Sequence, residues 1–145
     1  MVLLLHTAST LYMVGLIWFV QVVHYPLHGH VGTASFTQYQ HLHMNWTGYV
    51  VGPAMLVEAL TAVLLIVNPI ENIPSWLPWL GAGLLSLIWA STGLLQVPLH
   101  NGLLEYFDPS RHRNLVLSNW IRTICWTARG VLVLYILHLM LPDLP

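Results

Sequence analysis

The sequence predicts an all-α integral membrane protein, a four-helix bundle forming a single transmembrane domain over residues 1–145. Three observations carry this. Four basic and five acidic residues in 145, with no lysine, leave 6% charged against 57% hydrophobic, where a soluble domain carries about a quarter charged. Four apolar stretches, about 2–23, 46–67, 80–97 and 115–141, come close to or exceed the ~20 residues that cross a hydrocarbon core. An ordered set of short motifs also occurs twice, dividing the chain into halves 1–70 and 71–145.

The first span lacks a basic n-region and a small-residue cleavage site, so it reads as a retained helix rather than a signal peptide. Near its end Gln21, His24 and His28 share a helix face, and Tyr25-Pro26 marks the exit. A proline there is expected to end or kink the helix, because it lacks a donor and strikes the preceding turn. Thr33 or Ser35 is the expected N-cap of the second helix. That helix carries Gln38, His41 and Asn45 on one face before entering the membrane near Trp46. Gly48 and Gly52 form a GxxxG pair, which predicts close approach of a neighbouring backbone, and Pro53 predicts a kink. Glu58 is the one carboxylate inside a span and needs a partner. The second span ends at Asn68-Pro69, and Trp76 and Trp79 give the following loop an aromatic belt. In the third span Thr92, Gln96 and His100 fall at four-residue steps, with Pro98 closing it. Asp108-Pro109 supplies an N-cap and a first-turn proline for a fourth helix long enough to project from the membrane.

The repeated motifs are Leu16-Ile17-Trp18 then Pro26-Leu27-His28, matched by Leu87-Ile88-Trp89 then Pro98-Leu99-His100. Phe36 pairs with Phe107, and Asn45-Trp46 with Asn119-Trp120. The order implies two helical hairpins in a parallel repeat, related by an axis along the membrane normal. One side then gathers His24, His28, His30, His41, His43, His100 and His112 with Glu105, Asp108, Arg111 and Arg113, leaving His6 and His138 on the other. The loop arginines put the histidine side in the cytoplasm and both termini outside, in a bacterial-type inner membrane. Four arginines cannot build a footprint on phosphate, so nucleic acid is excluded as a partner. The single Cys125 rules out an intrachain disulfide and a CxxC pair. The expected partners are the bilayer and a lipophilic small molecule, with a homo-oligomer left open.

Asn119, Arg122, Trp126 and Arg129 recur at three- and four-residue spacing on the fourth helix, and His112 extends their face by a heptad. A membrane arginine is costly and faces protein or a wet cavity. Glu58 lies twelve residues past Trp46 and Arg129 nine past Trp120. At about 1.5 Å per residue their depths differ by less than a turn, which predicts a Glu58–Arg129 ion pair acting as a brace. Arg122 then has no acid in the spans: it could hold a ligand's carboxylate or phosphate, or be satisfied by Asp108 or Glu105 from the loop. The candidate catalytic set is Arg122, Asn119 and His112, with Gln21, Gln96, Arg122 and Trp126 lining a binding site. Imidazole and carboxylate together suit iron, copper or zinc. His24 and His28, at i and i+4, can present two ligands to one ion, and His28 and His100, as repeat mates, can stand opposite each other as axial haem ligands. His41, His112 or Glu105 would complete the shell, whereas His41 and His43 diverge on a helix. Interfacial histidines also commonly do no more than hydrogen-bond to headgroups or carbonyls.

The functions that follow are a membrane oxidoreductase with a histidine-held metal or haem acting on a lipophilic ring compound or quinone, a non-catalytic membrane protein binding or carrying a lipid, proton or small anionic ligand, and a structural subunit. Tyr25-Pro26, the exit Pro98, Leu99 and Asn101, and Trp120 with Arg122 opening the fourth helix resemble the family of small four-span membrane proteins grouped with the anthrone oxygenases. That resemblance implies a four-helix membrane bundle and, for a few relatives, oxidation of a polycyclic phenol. The layout is also similar to that of the small four-helix protoporphyrinogen oxidases, which use histidine with tetrapyrroles.

Overall fold

The computed structural model describes residues 1–140, so residue 141 of the expected fourth span lies outside the described residues. Four helices, each long and apolar enough to cross a membrane, account for nearly all of it: α1 Val2–His28, α2 Thr33–Val67, α3 Trp76–Gly102 and α4 Pro109–Met140. Helix α1 packs against α2 and α4, and α3 packs against α4 and more slightly against α2, so α1 and α3 sit across a diagonal. His6, early in α1, meets Thr61, late in α2, at 2.7 Å, while His28 meets Gln40 at 3.0 Å. Neighbouring helices therefore run antiparallel, and both the 29–32 and 103–108 connections lie at the end opposite the N-terminus.

Pro98 does not close its helix, which runs on to Gly102, and α1 ends two residues after Pro26. Pro26 and Pro98 are each preceded by one turn of π-helix, Val20–His24 and Thr92–Gln96. The wider turn takes up the missing donor and moves aside the carbonyl that the ring would strike. Helix α1 thus runs on to His28 and α3 to Gly102, and α2 continues unbroken through Pro53. At the start of α4 the expected cap is present: Asp108 Oδ1 accepts the N–H groups of Ser110 at 2.8 Å and Arg111 at 3.2 Å. Helix α2 instead starts from Gly32 with no side-chain cap, so neither Thr33 nor Ser35 fills that role.

Polarity runs opposite to that of a water-soluble bundle. Thr10, Gln40, Glu58, Asn119 and Arg129 are buried, while Leu4, Leu60, Val63, Leu94 and Val131 are exposed. An apolar exterior suits hydrocarbon, and buried polar groups are tolerable only when hydrogen-bonded. Three apolar clusters punctuate the interior: Leu3, Leu65, Leu77 and Ile136 toward the N-terminal end, Met13, Ile17, Met55, Ile88 and Trp126 midway, and Tyr25, Phe36, Leu103 and Leu115 toward the histidines. Trp46, Trp76 and Trp79 are exposed, as a belt requires. The GxxxG expectation fails: a Cβ built at Gly48 or Gly52 meets no heavy atom within 4 Å. No backbone seats there, because both glycines border a cavity.

Candidate functional site

That cavity measures about 270 Å³ and draws on all four helices. Its walls are apolar, chiefly Met13, Leu16, Ile17, Val51 and Trp126, and its polar end carries Tyr25, His43, Gln96, His100 and Arg122. Gly48 of α2 and Val97 of α3 line it while being exposed themselves, so it opens sideways between those helices.

One continuous hydrogen-bond chain builds the polar end. The Gln21 amide donates to the Val116 carbonyl at 3.2 Å, and its Oε1 accepts from Asn119 Nδ2 at 2.7 Å. Asn119 Oδ1 accepts Arg122 Nε at 2.9 Å and Nη2 at 2.5 Å. Arg122 Nη2 also donates to the Tyr25 hydroxyl at 3.2 Å, which lies 3.0 Å from His100 Nε2. On the far side of His100, the Gln40 amide nitrogen donates to the His100 carbonyl at 3.0 Å and lies 3.1 Å from Nδ1, while Gln40 Oε1 meets His28 Nε2 at 3.0 Å. Among the described residues Arg122 has no carboxylate partner, since the ion pairs there are Arg111–Asp108 and Arg129–Glu58. Among the described residues its Nη1 makes no hydrogen bond to protein, and the side chain lines the cavity.

Lower in the bundle, Arg129 Nε and Nη2 each lie 3.0 Å from Glu58 Oε1, the pair that the depth comparison predicts. Thr10 at 2.8 Å and the Trp126 indole at 3.0 Å complete the carboxylate. Arg129 Nη1 donates to the Gly81 carbonyl, and Nη2 lies 3.4 Å from His6 Nε2. Every strong group in this cluster has a partner, and the pair is almost wholly buried.

The structure brings together some candidate residues and not others. Arg122, Gln96 and Trp126 line the cavity, with Asn119 and Gln21 directly behind Arg122. His112 does not reach the cavity; its Nε2 bonds the Tyr25 carbonyl at 2.9 Å and braces that end of α1. Gln38, His41 and Asn45 are exposed, because α2 turns its other face, Phe36, Gln40, His43 and Thr47, inward. Glu105 is also exposed, and Asp108 lies 3.4 Å from Arg111, so neither loop acid satisfies Arg122.

His24, His28, His43, His100 and His112 do cluster, linked by ring-centroid distances of 4.6 to 6.1 Å. A metal fits them poorly. His24 Nε2 and His43 Nδ1 bond each other at 3.0 Å, and both nitrogens of His100 are engaged by Tyr25 and Gln40. His41 and Glu105, the expected completing ligands, lie elsewhere. Among the described residues no three His, Cys, Asp or Glu side chains stand where they could hold one ion. A haem between His28 and His100 fits no better, because the Gln40 amide occupies the interval.

Tyr25, Gln40 and His43 are the site residues that sequence reasoning missed. Tyr25 was legible as the i+4 neighbour of Gln21, and Gln40, His43 and Thr47 form a stripe as regular as the one chosen. Fold and site together define a class: an all-helical bundle, its four helices long and apolar enough to cross a membrane, with a polar-ended cavity open at its side. The chain matches no family model, no curated protein and no solved structure, so its function is argued from its own residues.

Proposed function

We propose that this is an integral membrane protein that admits a lipophilic ring compound or quinone through the gap between α2 and α3 and holds its oxygen at Arg122. A single observation carries the reading: a buried guanidinium without a carboxylate stands at the polar end of an otherwise apolar cavity. A charge left in that state is costly, and a ligand oxygen offered to Nη1 offsets the cost through a charge-assisted bond. The apolar walls would take the ring and any tail, so that the ligand exchanges with the bilayer rather than with water.

Finer readings go with it. Proton exchange at the bound ring's oxygen, in an oxidation or reduction whose electrons pass to or from a separate redox partner, with Asn119 holding Arg122 in place, is favoured by the contact of Tyr25 with both His100 and Arg122, which puts a phenol and an imidazole beside the ligand's oxygen. A polycyclic phenol, the class implied by the resemblance to the anthrone-oxygenase group, suits the same walls. The duplicated-hairpin origin is supported by the two π-helical turns, each running into a Pro-Leu-His segment. The cytoplasmic placing of the histidine end rests on Arg111 and Arg113 alone.

The test uses the full chain in lipid nanodiscs, titrated with a short-chain ubiquinone or an anthraquinone while tryptophan fluorescence is followed. Trp126 at the cavity wall should be quenched saturably, and Arg122→Gln should shift saturation to roughly tenfold to a hundredfold higher probe concentration with little change in the thermal melt. If quenching rises linearly with probe, or if the variant binds as the parent does, the reading is wrong. A metal and haem assay on the same sample checks the alternative: a stoichiometric ion or Soret band would return the histidines to a ligating role.

A further inference from the structure

Two backbone carbonyls orient the whole chain of amides and imidazoles behind the cavity. A carbonyl accepts and never donates, so the group meeting the His100 carbonyl must be the Gln40 NH2, as the group meeting Val116 must be that of Gln21. With its nitrogen fixed, Gln40 has a second hydrogen directed at His100 Nδ1, 3.1 Å away. That nitrogen therefore carries the lone pair, and the ring's proton sits on Nε2, facing the Tyr25 hydroxyl at 3.0 Å. A second proton on His100 would have to point at the Gln40 hydrogens, so the ring is held neutral in one tautomer. The same logic leaves His28 with its proton on Nε2, donated to Gln40 Oε1, and a bare Nδ1, which is buried with no partner.

The consequence falls on Tyr25. Its oxygen accepts from His100 Nε2–H on one side and from Arg122 Nη2–H on the other. Both lone pairs are then occupied, and the hydroxyl proton has no acceptor among the described residues. The direction left to it is the cavity that Tyr25, His100 and Arg122 line together. At the Arg122 corner the cavity thus offers the Tyr25 O–H and Arg122 N–H groups, neither of which can accept, while Gln96 is engaged by Ser91 and Ser118 and His43 Nδ1 by His24 and Thr47.

We propose that the site selects its ligand by redox state, taking the oxidised form, whose quinone carbonyl can only accept, in preference to the reduced hydroxyl form of the same ring. This rests on the ring-binding function proposed above and adds which chemical form that function favours. A carbonyl receives both donors at no loss. A neutral hydroxyl must turn its own proton aside and accept through what remains, and the mismatch between donors weakens it. Gln40 is the positioning residue: it does not line the cavity, but it fixes the tautomer that aims the Tyr25 proton inward.

A short-chain ubiquinone and its quinol, titrated anaerobically into nanodiscs holding the full chain, separate the outcomes because the two have nearly the same shape and apolar area. The expected result is quinone binding at least about tenfold tighter than quinol. Gln40→Leu, which releases His100 to take the other tautomer and accept from Tyr25, should shrink the preference toward unity. Equal affinities, or tighter quinol binding, overturn the selection while leaving the ring-binding function standing. Failure of both forms to bind overturns both. A preference unchanged in Gln40→Leu overturns the positioning of Tyr25 through His100.

Discussion

Two arginines lie seven residues apart on one face of α4 and live in opposite circumstances. Arg129 is closed in: a carboxylate at 3.0 Å, a backbone carbonyl and an imidazole take its donors, and the carboxylate has a hydroxyl and an indole besides. Arg122 is held by neutral groups, Asn119 and Tyr25, and lines a cavity. Neither would be tolerated in lipid without its surroundings. The difference teaches that two arginines on one helix face can be accommodated in two ways, one closed in by a carboxylate and the other by neutral groups beside a cavity. Trp126 connects the two, donating to Glu58 with its indole while its ring forms the cavity wall.

The sharpest way to break this comparison is at Glu58. Glu58→Gln leaves the buried Arg129 guanidinium without its counter-charge and should cost about 3–5 kcal/mol, read as a large fall in melting temperature in detergent. Joining it to Arg129→Gln should restore part of the loss. A small effect of the single change would mean that the pair is no brace. Arg122→Gln comes next and should behave in the opposite manner, weakening ring binding roughly tenfold to a hundredfold, as loss of a hydrogen bond to a charged group implies, with little change in melting. If stability falls as far as in Glu58→Gln, the two arginines are alike and the contrast fails.

Gly48→Leu sharpens the picture from the lipid side. No atom stands within 4 Å of the added Cβ, and helix propensity improves by up to ~1 kcal/mol, so the protein should melt no lower. The side chain would stand at the cavity's mouth, and quinone binding should weaken or slow severalfold in stopped-flow quenching. Unaltered binding kinetics would place the entrance elsewhere. Smallest of all, Asp108→Ala removes the α4 cap and should cost about 1 kcal/mol, with ring affinity unchanged. Reduced affinity there would mean that the loop acid does serve the site.

The site was legible wherever a residue's chemistry conflicted with a lipid setting. Glu58, Arg122 and Arg129 announce themselves because charge in a span demands an explanation, and rise per residue brings the first and last to one depth. Pro98 misled because sequence shows the clash a ring would cause but not the π-helical turn that relieves it. The choice of His41 over His43 failed for a related reason. On α2 both faces of the stretch 36–47 are polar enough to be inside, and periodicity alone gives a face without saying which way it turns.

What the sequence determined by itself is the solvent and the count: too little charge for water, four apolar lengths, and two arginines that must be accommodated. Those are sums over local composition, and no partner is needed to compute them. Only the packed bundle decided which imidazoles meet, where two glycines leave space instead of contact, and which way each amide faces. Those depend on the rotation of one helix against another, a quantity settled by all the contacts at once. Above all, the two carbonyls that orient Gln21 and Gln40 come from helices far off in the chain, and the direction of every proton between them follows from that arrangement.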